Sequence, residues 1–250
     1  MPELPEAERA RLEIVRALGR EIVAVDDRDT YVCRPHAPGE LAAALVGRRL
    51  TSAHRRGKLL WAETDGGPDL GLHLGMAGRI VVDEPPSPRS WDRFALEFSD
   101  GGRLALRDKR RLGRAILAPD VERVGPDAAE VGRAAFRARV GRGSTPIKAR
   151  LLDQSSLAGV GNLLADEALW RARVHPRRPA GELAVDELDR LRRDLRAAVR
   201  SALLKGGVHT GALIAHRERG GHCPRCGTAL DRATIGGRTT YWCPSCQSER

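Results

Sequence analysis

The first six residues of the chain, Met1-Pro2-Glu3-Leu4-Pro5-Glu6, place a proline directly after the initiator methionine. Removal of Met1, which a small second residue permits, would leave Pro2 with a free secondary amine. An α-amino group has a pKa near 7.8, against about 10.4 for lysine, so roughly a few hundred times more of it is deprotonated at neutral pH. Such an amine could attack a sugar or carbonyl carbon and form an iminium. Glu3, next in the chain, could act as a general acid or base.

The same stretch is also typical of the start of a helix. Pro5 suits the first helical turn, and Glu6 favours its positive end. Apolar residues recur at helical spacing as far as Leu18, and Gly19 follows them. The sequence therefore predicts a helix from Glu6 to about Leu18. Whether the terminus is also chemically active has to be inferred from other segments of the chain.

Four of the five cysteines form two Cys-x-x-Cys pairs near the end of the chain: Cys223, Cys226, Cys243 and Cys246. Four thiolates at this spacing bind zinc tetrahedrally, and the residues around them have too little core to fold without the metal. A redox role would require a thioredoxin-like βαβ context, which the surrounding sequence does not show. With cysteine at all four positions there is no open coordination position. We therefore predict one structural Zn²⁺.

Two further segments carry candidate binding residues. Between the cysteine pairs, Thr234 to Trp242 predicts a hairpin that turns at Gly236-Gly237, with Arg238 at its tip. A tip arginine can reach a phosphate or groove, or be a solvated surface charge. The segment 155–162 contains two glycines and ends at Asn162, which we expect to cap the next helix. This segment is either a phosphate site at a helix N-terminus or an ordinary helix connection.

The charge balance indicates the class of partner. Lys and Arg total 43 against 33 for Asp and Glu, which gives a net charge of +10 and a pI near 10.2. A surplus of this size favours a polyanion, above all nucleic acid. The chain has no secretory signal and no apolar run long enough to cross a bilayer, so we expect no membrane partner. Paired cysteine motifs without a signal indicate a reducing compartment, the cytoplasm.

The periodicity predicts an α+β multi-domain protein. An N-terminal helix and an antiparallel β-sandwich occupy residues 1–118, and residues 119–130 form a linker. Residues 131–210 form a helical domain, and residues 211–250 form the zinc finger. The predicted strands are Glu21–Val25, Arg49–Ala53, Lys58–Glu63, Leu70–Leu74, Arg79–Val82, Phe94–Phe98, Arg103–Leu106 and Ala115–Ala118. The predicted helices of the second domain are Val131–Val140, Ile147–Gln154, Leu163–Ala172 and Asp186–Leu204, the last capped by Asp186 and followed by Gly206-Gly207.

The N-terminal motif, the Asn162 turn and the four-cysteine finger occur together in this order. The combination resembles the formamidopyrimidine-DNA glycosylase and endonuclease VIII family of bifunctional base-excision repair enzymes, and residues 2–6 look like its formamidopyrimidine branch. The match covers nearly the whole chain. Other segments agree with the family pattern: 55–58, 73–76, 108–113, 147–148, 159–162 and 237–241.

The resemblance implies a function and a set of site residues. The protein would remove oxidised or ring-opened bases from double-stranded DNA and cleave abasic sites by β/δ-elimination, as a monomer at the nucleoid. Its helical domain would be a helix-two-turn-helix domain. Pro2 would attack C1′, and Glu3 would protonate the sugar ring oxygen. Lys58 would act in β-elimination and Arg238 in δ-elimination. The gap left by an everted base would be filled by Met76, Arg110 and Leu112. The DNA backbone around the lesion would be bound by Lys148 and Asn162.

Base eversion is physically required whatever the family. No side chain reaches C1′ inside the stack, and the vacated position costs a few kcal/mol unless an apolar wedge and a cation replace the base. Met76 could equally be a core residue, and Arg110 a solvated charge.

The chain departs from the family pattern at several positions. Leu112 occupies a wedge position often held by an aromatic residue, and Lys109 replaces a proline. Residues 90–93 lack the histidines often found there. The connection from Gly206 to Cys223 is shorter than in purine-directed members, where a longer segment closes over everted 8-oxoguanine. We therefore expect excision of formamidopyrimidine or hydantoin-like lesions, lyase activity on abasic sites, and weak excision of 8-oxoguanine.

Two other functional classes fit part of the sequence. A noncatalytic protein that binds damaged DNA would keep the clamp and the finger, but it would not need a terminal amine beside a carboxylate. A zinc-ribbon protein that binds RNA or the ribosome would fit the charge, but it leaves the N-terminal hexapeptide unexplained.

Overall fold

Within the described residues between 22 and 117, eight strands form two antiparallel four-stranded sheets, the β-sandwich that the sequence predicts. The computed structural model describes residues 2–84 and 91–249. The strand order is β1-β6-β7-β5 in one sheet and β2-β3-β4-β8 in the other. The strands are β1 Ile22–Asp26, β2 Leu50–Arg56, β3 Leu59–Thr64, β4 Leu70–His73, β5 Arg79–Val82, β6 Asp92–Phe98, β7 Arg103–Arg107 and β8 Arg114–Leu117.

The two sheets enclose one apolar core. Strands alternate side chains between their faces, and the inward residues of both sheets, such as Leu60 and Phe94, belong to a single buried cluster. Helix α1, Leu4–Val15, contributes Ala7, Ala10 and Ile14 to the same cluster. This arrangement is the predicted sandwich with a helix packed on it.

A short helix in this region was not predicted. Helix α2, Glu40–Leu45, begins after Gly39, whose φ of 89° is left-handed. Its first turn is held by the buried carboxylate of Asp27, which accepts hydrogen bonds from the backbone N–H groups of Gly39, Leu41 and Ala42. A helix of six residues is too short to be stable alone, so its formation depends on this distant cap.

The described chain divides into two compact units. The first comprises Pro2 and Ala7–Val121, and the second comprises Glu3–Glu6 and residues 122–249. The second unit contains four helices with their own buried cluster, in which Phe136, Leu169 and Leu195 are fully enclosed. These helices are α3 Arg133–Val140, α4 Ile147–Leu152, α5 Asn162–Ala172 and α6 Val185–Lys205.

Two predicted helix caps are wrong. Helix α6 begins at Val185, so Asp186 lies inside the first turn, and the Glu187 carboxylate accepts the N–H of Ala184 at 3.0 Å instead. Helix α5 begins at Asn162 itself, and Gly161 occupies the cap position. The C-terminal end of α6 is as predicted, because Gly206 adopts φ 92° there.

The finger carries the predicted hairpin. Strands β9, Asp231–Ile235, and β10, Arg238–Trp242, pair antiparallel with Ile235 opposite Arg238. Gly236 and Gly237 form the two-residue turn with φ of 58° and 71°. Two successive positive φ angles belong to the type I′ turn, which matches the twist of the paired strands.

Three features of the sequence fall outside the described residues. They are the removal of Met1, Ser90 in the stretch without histidines, and the dipeptide Pro85-Pro86, which is typical of a turn between two of the predicted strands. Among residues 2–84 and 91–249, no helix has the length and apolarity needed to cross a membrane.

Candidate functional site

The carboxylate of Glu3 is buried at the N-terminus of α5. One oxygen accepts hydrogen bonds from the N–H groups of Gly161 and Leu164, both at 3.0 Å, and the other accepts from Leu163 at 2.8 Å. The first N–H groups of a helix lack partners inside the helix, and the helix dipole favours an anion there. A residue at the start of the chain therefore provides the cap that the sequence analysis assigned to Asn162.

This contact also decides between the two interpretations of segment 155–162. The amides that a phosphate would need at the start of α5 already bind the Glu3 carboxylate, which is 1% exposed. Gly161 makes the approach possible, since a Cβ at this position would lie 2.3 Å from the carboxyl carbon of Glu3. The anion bound at this helix N-terminus is therefore the Glu3 carboxylate and not a phosphate.

Glu6 fixes the backbone around Glu3. Its side chain accepts the N–H of Glu3 at 2.9 Å, three residues back, as in a capping box. Its other oxygen accepts the N–H of Val208 at 2.9 Å. The carbonyl of Gly159 accepts the N–H of Leu4 at 3.1 Å. Chain termini usually fray unless they are tied down, and these contacts hold Glu3 and Leu4 in place.

Lys58 lies in the tight turn between β2 and β3, in the first unit. Arg56 pairs with Leu59 across this turn, and the side chain of Lys58 is half-buried. Nearby, burial lowers the pKa of His73, and the Lys58 ammonium lowers it further. The ring is accordingly neutral at pH 7, and its Nδ1 accepts the N–H of Gly75 at 3.0 Å.

The end of β2 is anchored to α1. Arg55 donates from Nε to the Glu8 carboxylate at 2.9 Å, and Arg11 donates to the same group. Burial raises the pKa of Glu8, but the two guanidinium groups outweigh it and leave the pKa below its usual value. This ion-pair cluster fixes the strand end that leads into Lys58.

The loops that carry Met76, Arg110 and Leu112 meet within the first unit. A Cβ on Gly75 would lie 2.4 Å from the backbone of Leu112, so the two loops are in direct contact. Met76 and Leu112 are half-buried and Arg110 is exposed. Among the described residues, the Arg110 guanidinium has no ion pair.

Asp108 holds the second of these loops. Its carboxylate is fully buried and accepts the N–H groups of Arg110 at 2.9 Å and of Leu112 and Gly113 at 2.7 Å. Asp108 lies in the segment 108–113 that agrees with the family pattern, but no role was predicted for it. A local signal was present, because Asp commonly accepts a hydrogen bond from the backbone N–H two residues later, as Asp108 does from Arg110.

The structure contradicts the predicted grip of Lys148 on the DNA backbone. Its side chain is 0% exposed, and its Nζ lies 2.6 Å from both the Asp166 carboxylate and the Thr240 hydroxyl. Burial lowers the pKa of Lys148, with Asp166 opposing that effect. An enclosed ammonium that already has these partners offers nothing to a phosphate. The sequence analysis also missed Asp166, which has no distinctive spacing within α5.

The carbonyl oxygen of Thr239 connects the hairpin to the helices. It accepts from Asn162 Nδ2 at 2.9 Å, from Arg217 at 2.5 Å and from Lys148 at 3.4 Å. Arg217 also binds Asp166 at 2.6 Å. The amide of Asn162 thus contacts the hairpin in this structure. Thr239 directly precedes the buried Thr240 and follows Arg238, so the network fixes the residue beside the hairpin tip.

Arg238 itself is exposed. No ion pair involves its guanidinium among the described residues. The carbonyl of Arg238 accepts from the Thr240 hydroxyl at 3.1 Å, which restrains the backbone at this position. An exposed guanidinium without an ion pair, on a restrained backbone, is suited to binding a phosphate.

The four predicted metal ligands lie together. The sulfur atoms of Cys223, Cys226, Cys243 and Cys246 all lie within 4.8 Å of one another. Tetrahedral zinc at about 2.3 Å from each sulfur separates the sulfurs by about 3.8 Å, so the cluster fits one ion. Trp170 on α5 donates from Nε1 to Cys223 at 3.3 Å and supports the cluster from the helical side. The zinc is structural.

Cys33 is not part of any site. It is fully buried, and burial raises the pKa of its thiol to about 12. A thiol held neutral at physiological pH is not a nucleophile, so Cys33 serves as a small apolar core residue.

Comparisons with known proteins cover the whole chain. The profile of the formamidopyrimidine-DNA glycosylase N-terminal domain matches residues 1–115, that of the H2TH domain of the same enzyme matches residues 123–212, and that of the zinc finger found in FPG and IleRS matches residues 220–248. The formamidopyrimidine-DNA glycosylase of Roseiflexus sp. is 38% identical over 276 residues, covering 99% of this chain and 100% of that protein. The Thermus thermophilus enzyme is 36% identical over 277 residues, covering 100% and 99%.

Solved structures are similar over the same length. The Lactococcus lactis Fpg in complex with DNA containing an abasic site superimposes with a TM-score of 0.87 at 27% identity, covering 98% of this chain and 99% of that one. A MutM complex with DNA containing carbocyclic 8-oxo-G gives a TM-score of 0.87 at 28% identity, covering 99% and 100%.

Proposed function

The chain belongs to the formamidopyrimidine-DNA glycosylase family and is a base-excision-repair DNA glycosylase with AP-lyase activity, and on this premise we propose that Pro2 and Glu3 carry its chemistry. Pro2, freed of Met1, is the nucleophile. Lys58 and Arg238 act on the phosphates, and Met76, Arg110 and Leu112 fill the gap left by the everted base.

One observation carries this proposal: the residue that follows Pro2 is anchored by three backbone hydrogen bonds to its side chain. A terminal amine on a frayed chain would lose much of its rate through poor orientation, because correct positioning of reactants supplies several kcal/mol of a reaction barrier. The peptide bond to a fixed Glu3 restricts where the amine of Pro2 can lie. A nucleophile at a chain terminus gains most from such an anchor.

The contacts of Glu3 also suggest how protons move. Three N–H donors stabilise its ionised form, so it begins as a proton acceptor. When the amine attacks C1′, the C1′–base bond breaks and the base leaves with a proton from solvent. The new C1′–N ammonium loses its proton to Glu3. Glu3 passes that proton to the ring oxygen as the C1′–O4′ bond opens, which leaves the iminium.

Strand cleavage follows from the iminium. Loss of a C2′ proton expels the 3′ phosphate by β-elimination, and loss of a C4′ proton then expels the 5′ phosphate by δ-elimination. Water hydrolyses the remaining iminium and restores the amine. The half-buried Lys58 serves the first elimination and the exposed Arg238 the second, since a cation near a leaving phosphate stabilises its developing charge.

Borohydride trapping tests the nucleophile. Reduction of the iminium should link protein with its mature terminus covalently to abasic DNA, and a retained Met1 or an N-terminal extension should abolish the link. Pro2→Gly keeps a terminal amine and should keep part of the trapping. Trapping that survives a blocked terminus would overturn the assignment to Pro2. Binding of abasic DNA without any trapping by the mature protein would favour a noncatalytic binding protein.

We propose further that 8-oxoguanine is a poor substrate. It differs from guanine by an oxygen and a proton at N7, so rejecting guanine requires polar groups around that edge, usually on a closing loop. The segment between Gly206 and Cys223 is held down within its own unit. The N–H of Val208 binds Glu6, and those of Ala212 and Leu213 bind the buried Glu167 at 3.1 and 2.9 Å.

Selectivity then depends on how easily a damaged base leaves the stack and how readily its glycosidic bond breaks. Both favour ring-opened formamidopyrimidines, hydantoin-like lesions and abasic sites. A single-turnover assay on duplexes that each carry one lesion should show slow excision of 8-oxoguanine opposite cytosine beside faster excision of formamidopyrimidine. Fastest excision of 8-oxoguanine would assign recognition to another segment.

We also propose an oligomeric state and a cellular location for the enzyme. The enzyme acts as a monomer on double-stranded DNA at the nucleoid, a setting supported by its net charge of +10. Light scattering at micromolar concentration should give the mass of one chain, 27.2 kDa, and a dimer mass would contradict it.

A further inference from the structure

A cluster of arginines surrounds a cavity of about 300 Å³ on the second unit, beside α3 and α6. Six of the eight lining residues are arginines, and the other two are Asp186 and Asp189. None of them is among the residues assigned above to the lesion. The arginines are Arg133, Arg190, Arg192, Arg193, Arg196 and Arg200.

The two acidic residues of the cavity offset only part of the charge of its six arginines. Asp189 is engaged in an ion pair with Arg137, at 2.8 Å from its Nε. Asp186 is mostly exposed and only approaches Arg190, at 4.0 Å. Among the described residues, Arg133, Arg192, Arg196 and Arg200 have no carboxylate within 4.0 Å. We refer to these four residues as the arginine row.

The geometry of the row suits an extended anion. Arg192, Arg196 and Arg200 follow one another at intervals of four residues, so they lie along one side of α6 over about 12 Å. Arg133 adds a fourth charge from the first residue of α3. Like charges four residues apart on a helix repel each other, and the row therefore lowers helix stability until a ligand neutralises it.

Two members of the row, Arg192 and Arg196, have features that favour a bound anion. Arg192 donates from Nε to the carbonyl of Val131 at 2.7 Å, which restricts the position of its guanidinium. Burial lowers the pKa of Arg192, and Arg196 and Arg133 lower it further. The Nε of Arg196 is buried without a hydrogen-bond partner among the described residues. A buried donor of this kind favours a bound acceptor.

We propose that the arginine row binds the phosphodiester backbone of a second segment of nucleic acid, separate from the duplex at the lesion. Guanidinium forks match phosphate oxygens in pairs, and a backbone presents charge at every 3.4 Å per strand, so a row of about 12 Å spans several phosphates. A small anion would occupy only one end of it. The enzyme thereby holds this second segment while the lesion site is occupied.

The test uses two DNA probes on the full-length protein with zinc. A short duplex with a tetrahydrofuran abasic analogue first saturates the lesion site, and a labelled undamaged duplex of 12 base pairs is then titrated by fluorescence anisotropy. The variant is Arg196→Gln with Arg200→Gln. The matched control is Arg16→Gln with Arg28→Gln, which removes the same charge from exposed arginines already paired with Glu13 and Asp26.

The wild type and the control should bind the second duplex, with affinity that falls steeply with salt. The variant should bind it about tenfold or more weakly at 0.1 M salt, with a salt slope smaller by about two. Its binding of the tetrahydrofuran duplex should be unchanged, and so should its rate of strand cleavage on a duplex with a true abasic site, which has a reactive C1′.

Three outcomes would overturn the proposal. One is no second binding to the saturated wild type, and another is equal second binding by variant and wild type. The third is displacement of the second duplex by a glutamate-rich peptide with the same net charge as that duplex. This result would indicate that the row binds an acidic protein. Failure of the wild type to bind the abasic duplex at all would instead count against the proposed function. The arginine row would still be tested in that case, by comparing how tightly variant and wild type bind the undamaged duplex.

Discussion

The buried pair of Lys148 and Asp166 supports a quantitative prediction, because both side chains are 0% exposed and their charged atoms lie 2.6 Å apart. Two isosteric changes separate their contributions. Lys148→Met removes the ammonium and keeps the volume, and Asp166→Asn removes the carboxylate charge. After the first change, Asp166 still binds Arg217 at 2.6 Å. After the second, the Lys148 ammonium loses its nearest anion and keeps neutral acceptors at hydrogen-bond distance, among them the hydroxyl of Thr240 and the more distant carbonyl of Thr239.

The magnitudes differ for this reason. Breaking a buried pair by removing one partner typically costs 3–5 kcal/mol, about what Asp166→Asn should lose. Deprotonating a lysine of ordinary pKa at pH 7 costs about 5 kcal/mol, which sets the upper limit for this penalty. Lys148→Met should lose only about 1–3 kcal/mol, since the remaining carboxylate keeps a cation. The double variant should lose less than the two single losses together, because no unpaired charge from the pair remains.

Thermal unfolding with zinc present measures these losses, and Asp166→Asn should lower Tm by on the order of 10 °C. The salt dependence of binding to an abasic duplex measures phosphate contacts. For Lys148→Met the slope of log K against log salt should stay unchanged, because an enclosed ammonium neutralises no phosphate. If the slope's magnitude falls by about one unit while the protein stays folded, Lys148 contacts the backbone and the reasoning from burial is refuted.

Three further predictions concern the metal, the helix cap and pH. Cys243→Ser should release the zinc, measured by atomic absorption, and weaken DNA binding while the N-terminal unit stays folded. Gly161→Ala should displace the Glu3 carboxylate, since its Cβ would lie 2.3 Å from the carboxyl carbon, with a loss of about 1–2 kcal/mol and of trapping activity. Burial lowers the pKa of His73 in the folded state, so the unfolded chain takes up a proton first, near pH 6.5. Stability in urea should therefore fall between pH 7.5 and 5.5.

Each of these has its own control. Full DNA binding by metal-free protein would contradict the role of the zinc. Gly132→Ala changes another glycine cap with no atom within 4 Å of the new Cβ and a φ of −71°, so it should keep trapping, and equal losses in both variants would remove Glu3 from the explanation. His73→Gln keeps an acceptor but does not titrate, and an unchanged pH dependence in this variant would show that other groups cause it.

Local patterns in the sequence predicted most of the architecture. Alternating apolar residues indicated each strand of the sandwich within a few positions, because a strand half buried in a core must alternate. The hairpin between the cysteine pairs followed from Gly236-Gly237, since two successive positive φ angles favour glycine. The zinc followed from the spacing of Cys223, Cys226, Cys243 and Cys246, because the metal needs all four in one small volume.

The sequence could not predict contacts between distant residues. Helix α2 depends on the carboxylate of Asp27, which lies 12 residues before Gly39. Asn162 was expected to cap α5, but the cap comes from Glu3, 158 residues before Gly161. Propensities describe a residue and its near neighbours, so a cap supplied from elsewhere in the fold leaves no local signal.

The sequence by itself determined the chemical inventory of this enzyme: a proline that can become a terminal amine, a carboxylate beside it, four metal ligands and a surplus of cations. The tertiary structure decided which cations face solvent. Lys148 is enclosed because Asp166 and Thr240, the latter 92 residues away, surround its ammonium. Arg200 on α6 is exposed instead and has no carboxylate partner among the described residues. A charged side chain is stable in either place, and its partners in the fold determine which one it occupies.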